Sequence, residues 1–161
     1  MRHIMVATDG SDGANCAVDQ AAKLVKAVGG DLLIITIGGN LSGEETRQLA
    51  RAEGNIDDVL QALSTRILTK AEERTRRLGV SNVQVQAGWG DVAQAIIEIA
   101  ARKGVDAIAL GRRGRGRLAG LLLGSVSQKV VSLAPCAVVV VPSSREPNGS
   151  QKSHSIALVL M

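Results

Sequence analysis

Apolar positions along the chain follow two alternating rhythms: short unbroken runs, and longer stripes spaced by three or four residues. Arg2 to Thr8 reads as a first strand. From Asp12 to Val28, the residues Ala17, Ala21, Leu24, Val25 and Val28 form one helical stripe, which Gly29-Gly30 ends. Asp31 to Ile37 is almost wholly apolar, as a strand covered on both faces should be. Residues 44–78 carry a helical pattern with a break at Gly54. After it, Asn55 caps a helix that turns Ile56, Val59, Leu60, Leu63, Ile67 and Ala71 inward. Val83 to Ala87 is a third strand, and Asp91 caps a helix that uses Val92, Ile96 and Ala100. Ala107 to Leu110 is the fourth strand. Ser125 to Leu133 is a helix stopped before Pro135, and Ala137 to Val141 is the fifth strand.

Strands that alternate with helices and are themselves buried predict an α/β fold, an open and mostly parallel sheet with helices on both faces. In such sheets ligands bind beyond the carboxyl ends of the strands, where the strand order reverses. The 161 residues suffice for one domain with a good core, assigned to residues 1–142, and are too few for two. Residues 143–161 read as a tail. Ser143 to Ser155 is polar, with Pro147 and Gly149, and has the composition of a flexible linker. Ile156 to Met161 is apolar again, which leaves three expectations open: a strand added to its own sheet, a strand added to a partner's, or disorder.

The richest stretch for function runs from Gly111 to Ser125, between the fourth strand and the helix that follows it. Glycines let backbone amides approach a ligand closely and permit positive φ. The helix N-terminus adds unpaired N–H donors and a partial positive charge, and Ser125 stands where an N-cap hydroxyl belongs. The loop therefore has the makings of an anion site. It is not a P-loop. Gly111 and Gly116 have the spacing, but Arg117-Leu118 follows them in place of the lysine and hydroxyl. Nor is it a dinucleotide fingerprint, because Gly120 comes one residue too late after Gly114 and Gly116.

The spacing that remains is Gly111-x2-Gly114-x9-Gly124-Ser125. With Leu121 to Ser127 and the later Ala134-Pro135-Cys136, it resembles the ATP-binding branch of the universal stress protein family. The likeness extends over residues 2–142, and Ile4 to Ser11 is similar to the family's first strand with its terminal aspartate, here Asp9. Ala14, Thr36 and Val92 depart from the usual serine, histidine and proline, outside the glycine motif. The resemblance implies a five-stranded, Rossmann-like parallel sheet in the order 3-2-1-4-5, so that Asp9 faces Gly111 across neighbouring strands. It also implies ATP contacts from Ala7, Thr8 and Asp9, from Ile37, from Gly111, Arg112 and Gly114, and from Gly124, Ser125, Val126 and Ser127. Magnesium or manganese would accompany the nucleotide, held mainly by phosphate oxygens and water. A homodimer through the fifth strand is implied as well.

Composition refines this picture. The chain has one Trp, Trp89, and no Phe or Tyr, so the core is aliphatic and an adenine is expected to be held by backbone groups and aliphatic walls, with Trp89 the one residue open to stacking. The same lack argues against single-stranded nucleic acid, which is bound on aromatic platforms. The formal charge of +4 favours anionic partners, with Arg112, Arg113, Arg115 and Arg117 on the loop. The absence of a signal-like start or a membrane-length apolar run, with two isolated cysteines (Cys16 and Cys136), gives a cytoplasmic expectation. Neither a phosphate lysine nor a marked base for water appears, so binding with at most slow ATP hydrolysis is expected, and no catalytic residue is assigned. Cyclic AMP binding and a ligand-free dimeric module stay open beside it. An electron-transfer flavoprotein is a more distant alternative, as is a nucleotidylyl transferase, against which the lack of a paired-histidine motif counts.

Overall fold

Alternate residues of each central strand feed two separate cores, and that sandwiching is what sets the layered architecture. The computed structural model describes residues 2–38, 55–114, 122–143 and 157–159. Its strands are β1 (His3–Ala7), β2 (Asp31–Gly38), β3 (Val83–Trp89), β4 (Ala107–Gly111), β5 (Ala137–Val141) and β6 (Ala157–Val159). The helices are α1 (Asp12–Val28), α2 (Ile56–Arg77), α3 (Val92–Lys103) and α4 (Ser125–Leu133). Strands β1 to β5 are parallel in the order 3-2-1-4-5. Val6, for example, lies between Ile34 of β2 and Ala109 of β4.

Ile4, Val6, Leu32, Ile34, Ala109 and Val139 face the core shared with α1 and α2. Met5, Leu33, Ile35, Ile108, Leu110 and Val138 face α3 and α4. Burial on both faces explains the unbroken apolar runs, and each fully buried Ile or Val contributes about 1.5–3 kcal/mol. Edge strand β3 is less covered: Gln84, Val85, Ala87 and Trp89 are exposed, and Val83, Gln86 and Gly88 are half-buried. The strands are aligned at their starts by Asp106, whose carboxylate accepts from the N–H groups of Arg2 at 2.6 Å and His3 at 2.9 Å. These bonds, His3's first, hold the Asp106 carboxyl below its ordinary range.

Three expectations change. The buried face of α1 is Ala14, Ala17, Val18, Ala21, Ala22 and Val25, whereas Val28 is 40% exposed because it lies at the end of the helix, beside the Gly29 cap. In α2 the buried positions are Val59, Ser64, Leu68, Ala71 and Thr75. Leu60, Leu63 and Ile67 are only half-buried, since the helix is rotated to bring Leu68 and Ala71 onto the sheet. Finally, β5 is not the sheet's edge: β6 pairs with it antiparallel, Val139 opposite Leu158. The apolar end of the tail thus supplies a sixth strand to its own sheet. The helical pattern assigned to residues 44–54 lies outside the described residues.

Candidate functional site

Chain reversal at the carboxyl ends of β1 and β4 builds the site. The sheet order makes these strands neighbours, with connections leaving to opposite sides, which is the switch point of a doubly wound sheet. Beyond β1, Gly10 adopts a positive φ of 77°, a conformation only glycine takes without strain. That turn brings the Ser11 N–H onto Asp9 Oδ1 at 2.9 Å and the Gly10 N–H onto Thr8 Oγ1 at 3.2 Å. Ser11 then caps α1, accepting from the Ala14 N–H at 3.3 Å. The carboxylate is fixed in place before any ligand arrives.

Strand β4 leads into the glycine loop, and here glycine serves closeness rather than unusual φ. A Cβ on Gly111 would lie 2.8 Å from Gly13 C and 3.1 Å from Ala14 N, so β4 abuts the first turn of α1. A Cβ on Gly114 would lie 2.8 Å from Asp9 Oδ2, which places the loop backbone against the carboxylate. Neither residue is among the positive-φ glycines. Arg112 belongs to the scaffold: its N–H donates to Val141 O at 2.7 Å, its carbonyl accepts from the Gly124 N–H at 2.9 Å, and its Nε is buried. The latter bond closes the neck of the loop. Arg115 and Arg117 lie outside the described residues.

The helix after the loop begins differently from the expectation. Gly124, not Ser125, is the N-cap of α4, and no side chain caps it. Ser125 occupies the first helical position with its side chain exposed, because the chain is already helical there. The other three described helices carry side-chain caps: Ser11, Asn55 and Asp91. The first intrahelical bond of α4 runs from the Gln128 N–H to Gly124 O at 2.9 Å. The amides of Ser125, Val126 and Ser127 therefore precede the ladder and point out of the helix end. The Val126 side chain packs on the core, and the buried Ser127 Oγ donates to Gly111 O at 2.9 Å. Ser127 thus offers its N–H to the site while its hydroxyl ties helix to strand.

Ala7 and Ile37 line the same side of the sheet, both packed at the margin of the core with Leu123 and Val126. The Thr8 N–H is consumed by Ile35 O at 2.9 Å. One strand beyond Ile37, the indole of Trp89 covers Gly38 closely and is 51% exposed. It is the one aromatic surface of the chain, and it stands at the ligand end of the sheet. The structure thus brings together Asp9, Gly111, Gly114, Gly124 and the α4 amides, and sets Ala7 and Ile37 alongside. Sequence reasoning missed Gly13, whose missing Cβ admits Arg113 O at what would be 2.8 Å. Its signal was a second glycine three residues after Gly10. Among the described residues no group of three or more His, Cys, Asp or Glu is placed to hold a metal ion. No described helix is long and apolar enough to cross a membrane. Burial pushes the Cys136 thiol up, away from a reactive thiolate.

Parallel strands in the order 3-2-1-4-5, with glycines flanking the connection at the switch point, define a doubly wound α/β protein. Residues 1–142 match the model of the universal stress protein family, and the chain belongs to that family. Universal stress protein YxiE of Bacillus subtilis is 33% identical over 144 residues, covering 86% of this chain and 97% of that one. Among solved structures, a universal stress protein in complex with cAMP superposes with a TM-score of 0.68 at 27% identity, covering 89% of this chain and 98% of that one. Universal stress protein UspA from Lactobacillus plantarum, at 21% identity, has the same fold, with a TM-score of 0.70 over 87% of this chain and 98% of its own.

Proposed function

We propose that the protein binds ATP at the carboxyl end of its sheet and acts as a nucleotide-dependent stress-response regulator with slow or no hydrolysis. The observation that carries this reading is the convergence of the Asp9 carboxylate, the Gly114 backbone and the uncapped amides of α4 on one switch point. In this arrangement the phosphates lie across residues 111–114 and the N–H groups of Ser125, Val126 and Ser127. Asp9 accepts from a ribose hydroxyl or faces a magnesium or manganese ion carried by the phosphates. Ala7 and Ile37 wall the adenine, with Trp89 beyond. Among the described residues no phosphate lysine or positioned base stands at the site, which supports binding over turnover.

The cAMP complex of a relative supports a second reading, in which a cyclic nucleotide occupies the same place. Calorimetric titration of ATP with magnesium, repeated with cAMP as competitor, separates the two. The first reading expects a saturable ATP site of micromolar affinity that cAMP displaces weakly. Tighter cAMP binding would replace it with the second, and no heat from either on ligand-free protein would refute both. A cytoplasmic homodimer through the β5 edge belongs to this proposal, with the condition that β6 first leaves Val138–Val140 or is exchanged with the second copy.

A further inference from the structure

On the face of the molecule formed by α1 and α2, a second concavity gathers charge that the nucleotide site does not use. Four cations of α2 fall on one stripe, Arg66, Lys70, Arg74 and Arg77, spaced over about 16 Å of helix. They line a cleft of about 510 Å³ whose floor is Leu63 and Ile67, two of the apolar side chains that α2 leaves half-buried. Glu73 is the one acid on its wall.

Two cations of this helix are neutralised, one of them in the cleft itself. Arg74 donates to both oxygens of Asp19, at 2.5 and 2.7 Å, and the Asp19 bond raises its pKa. Arg76 pairs with Glu72 at 2.7 Å. By contrast, Arg66, Lys70 and Arg77 form no ion pair or hydrogen bond with any described residue, and neither does Glu73. Arg66 and Lys70 stand at i and i+4, where like charges repel. The chain keeps this repulsion at the mouth of a cleft that also has an apolar floor.

We propose that this cleft is a second ligand site, for a small organic anion with two phosphate groups separated by an apolar body. Arg66 and Lys70 hold one phosphate, Arg77 holds the other, and the body lies on Leu63 and Ile67. Arg74 stays with Asp19 as part of the wall. The proposal does not rest on nucleotide binding. Gly10 touches both regions, but the cleft's cations all come from α2 and none from the glycine loop.

The test titrates hexane-1,6-diyl bisphosphate into the full chain by calorimetry at low salt, with inorganic phosphate as comparator. The expected result is one saturable site that weakens as salt is raised. In Arg66→Gln/Lys70→Gln/Arg77→Gln it weakens at least tenfold, and about threefold in Lys70→Gln alone. All three cations are exposed, so the variants keep the wild-type melting curve. Gly114→Val leaves bisphosphate binding intact, whatever becomes of ATP. Equal affinity of the triple variant and wild type would overturn the proposal. So would loss of the probe in Gly114→Val, or inorganic phosphate binding as tightly as the bisphosphate.

Discussion

Replacing Gly111 with alanine separates a steric requirement of the scaffold from the chemistry of the ligand site. The added methyl would lie 2.8 Å from Gly13 C, 2.9 Å from Gly13 O and 3.1 Å from Ala14 N. All three atoms are backbone in the first turn of α1, so no side-chain rotation relieves the contact. Relief requires moving α1, whose Ala14, Ala17, Val18 and Ala21 are packed on the sheet, or moving β4, whose end Ser127 and Val141 hold. Overpacking of this kind costs about 1–3 kcal/mol. For a domain of this size that lowers the melting temperature by about 3–10 °C. Urea denaturation followed by circular dichroism should show a lower midpoint with an unchanged m-value. Gly114→Ala is the contrast. Among the described residues its methyl meets the Asp9 side chain alone, with Oδ2 at 2.8 Å. The carboxylate can swing away at the expense of its bond from the Ser11 N–H, for about 0.5–1.5 kcal/mol. A Gly111→Ala midpoint equal to wild type would refute the claim that β4 and α1 are in backbone contact.

Three other outcomes follow from the same geometry. Gly124→Ser supplies the side-chain cap that α4 lacks and has room, with Arg112 O at 3.4 Å from the new Cβ. It should raise stability by a few tenths of a kcal/mol while weakening ATP binding several-fold, because the hydroxyl occupies an amide meant for phosphate; calorimetry and thermal melts check both. Deleting residues 144–161 removes β6 and bares the β5 edge, so light scattering should report stronger self-association and melting should occur at lower temperature. Asp106→Asn weakens the tie between the starts of β1 and β4. Because the wild-type carboxyl is held low, its contribution is present above the ordinary carboxylate pKa and is lost as pH falls through the depressed value. The melting temperatures of the two proteins should differ at neutral pH and converge below roughly pH 4.

The sheet was legible because its strands are buried on both faces and therefore appear as unbroken apolar runs. Asn55, Asp91 and Gly29 were legible as caps because their side-chain or φ preferences are local. What failed was decided by tertiary contact. Nothing within α2 distinguishes Ile67 from Leu68, and only docking on β2 and β3 selects the latter. The cap of α4 was placed one residue late because Ser125 is the better intrinsic capper. Yet Gly124 takes the position, its N–H bonded to Arg112 O at the neck of the loop. At the site, Gly111 and Gly114 were found by spacing, but the reason for them is proximity to Gly13 and Asp9 across more than 95 residues of chain, which no local signal carries. The apolar end of the tail was recognisable as a strand in search of an edge. That the edge would be β5 of the same chain was not.

The central claim, that the glycine loop and the α4 amides form a nucleotide site, is tested most directly by titrating ATP with magnesium into wild type and Gly114→Val/Ser125→Ala. The side chain at 114 would displace Asp9 and fill the approach to the loop. The account predicts micromolar-range binding to wild type that falls at least tenfold in the double variant, with both proteins showing the same circular dichroism spectrum. Equal affinity in the two folded proteins would contradict it.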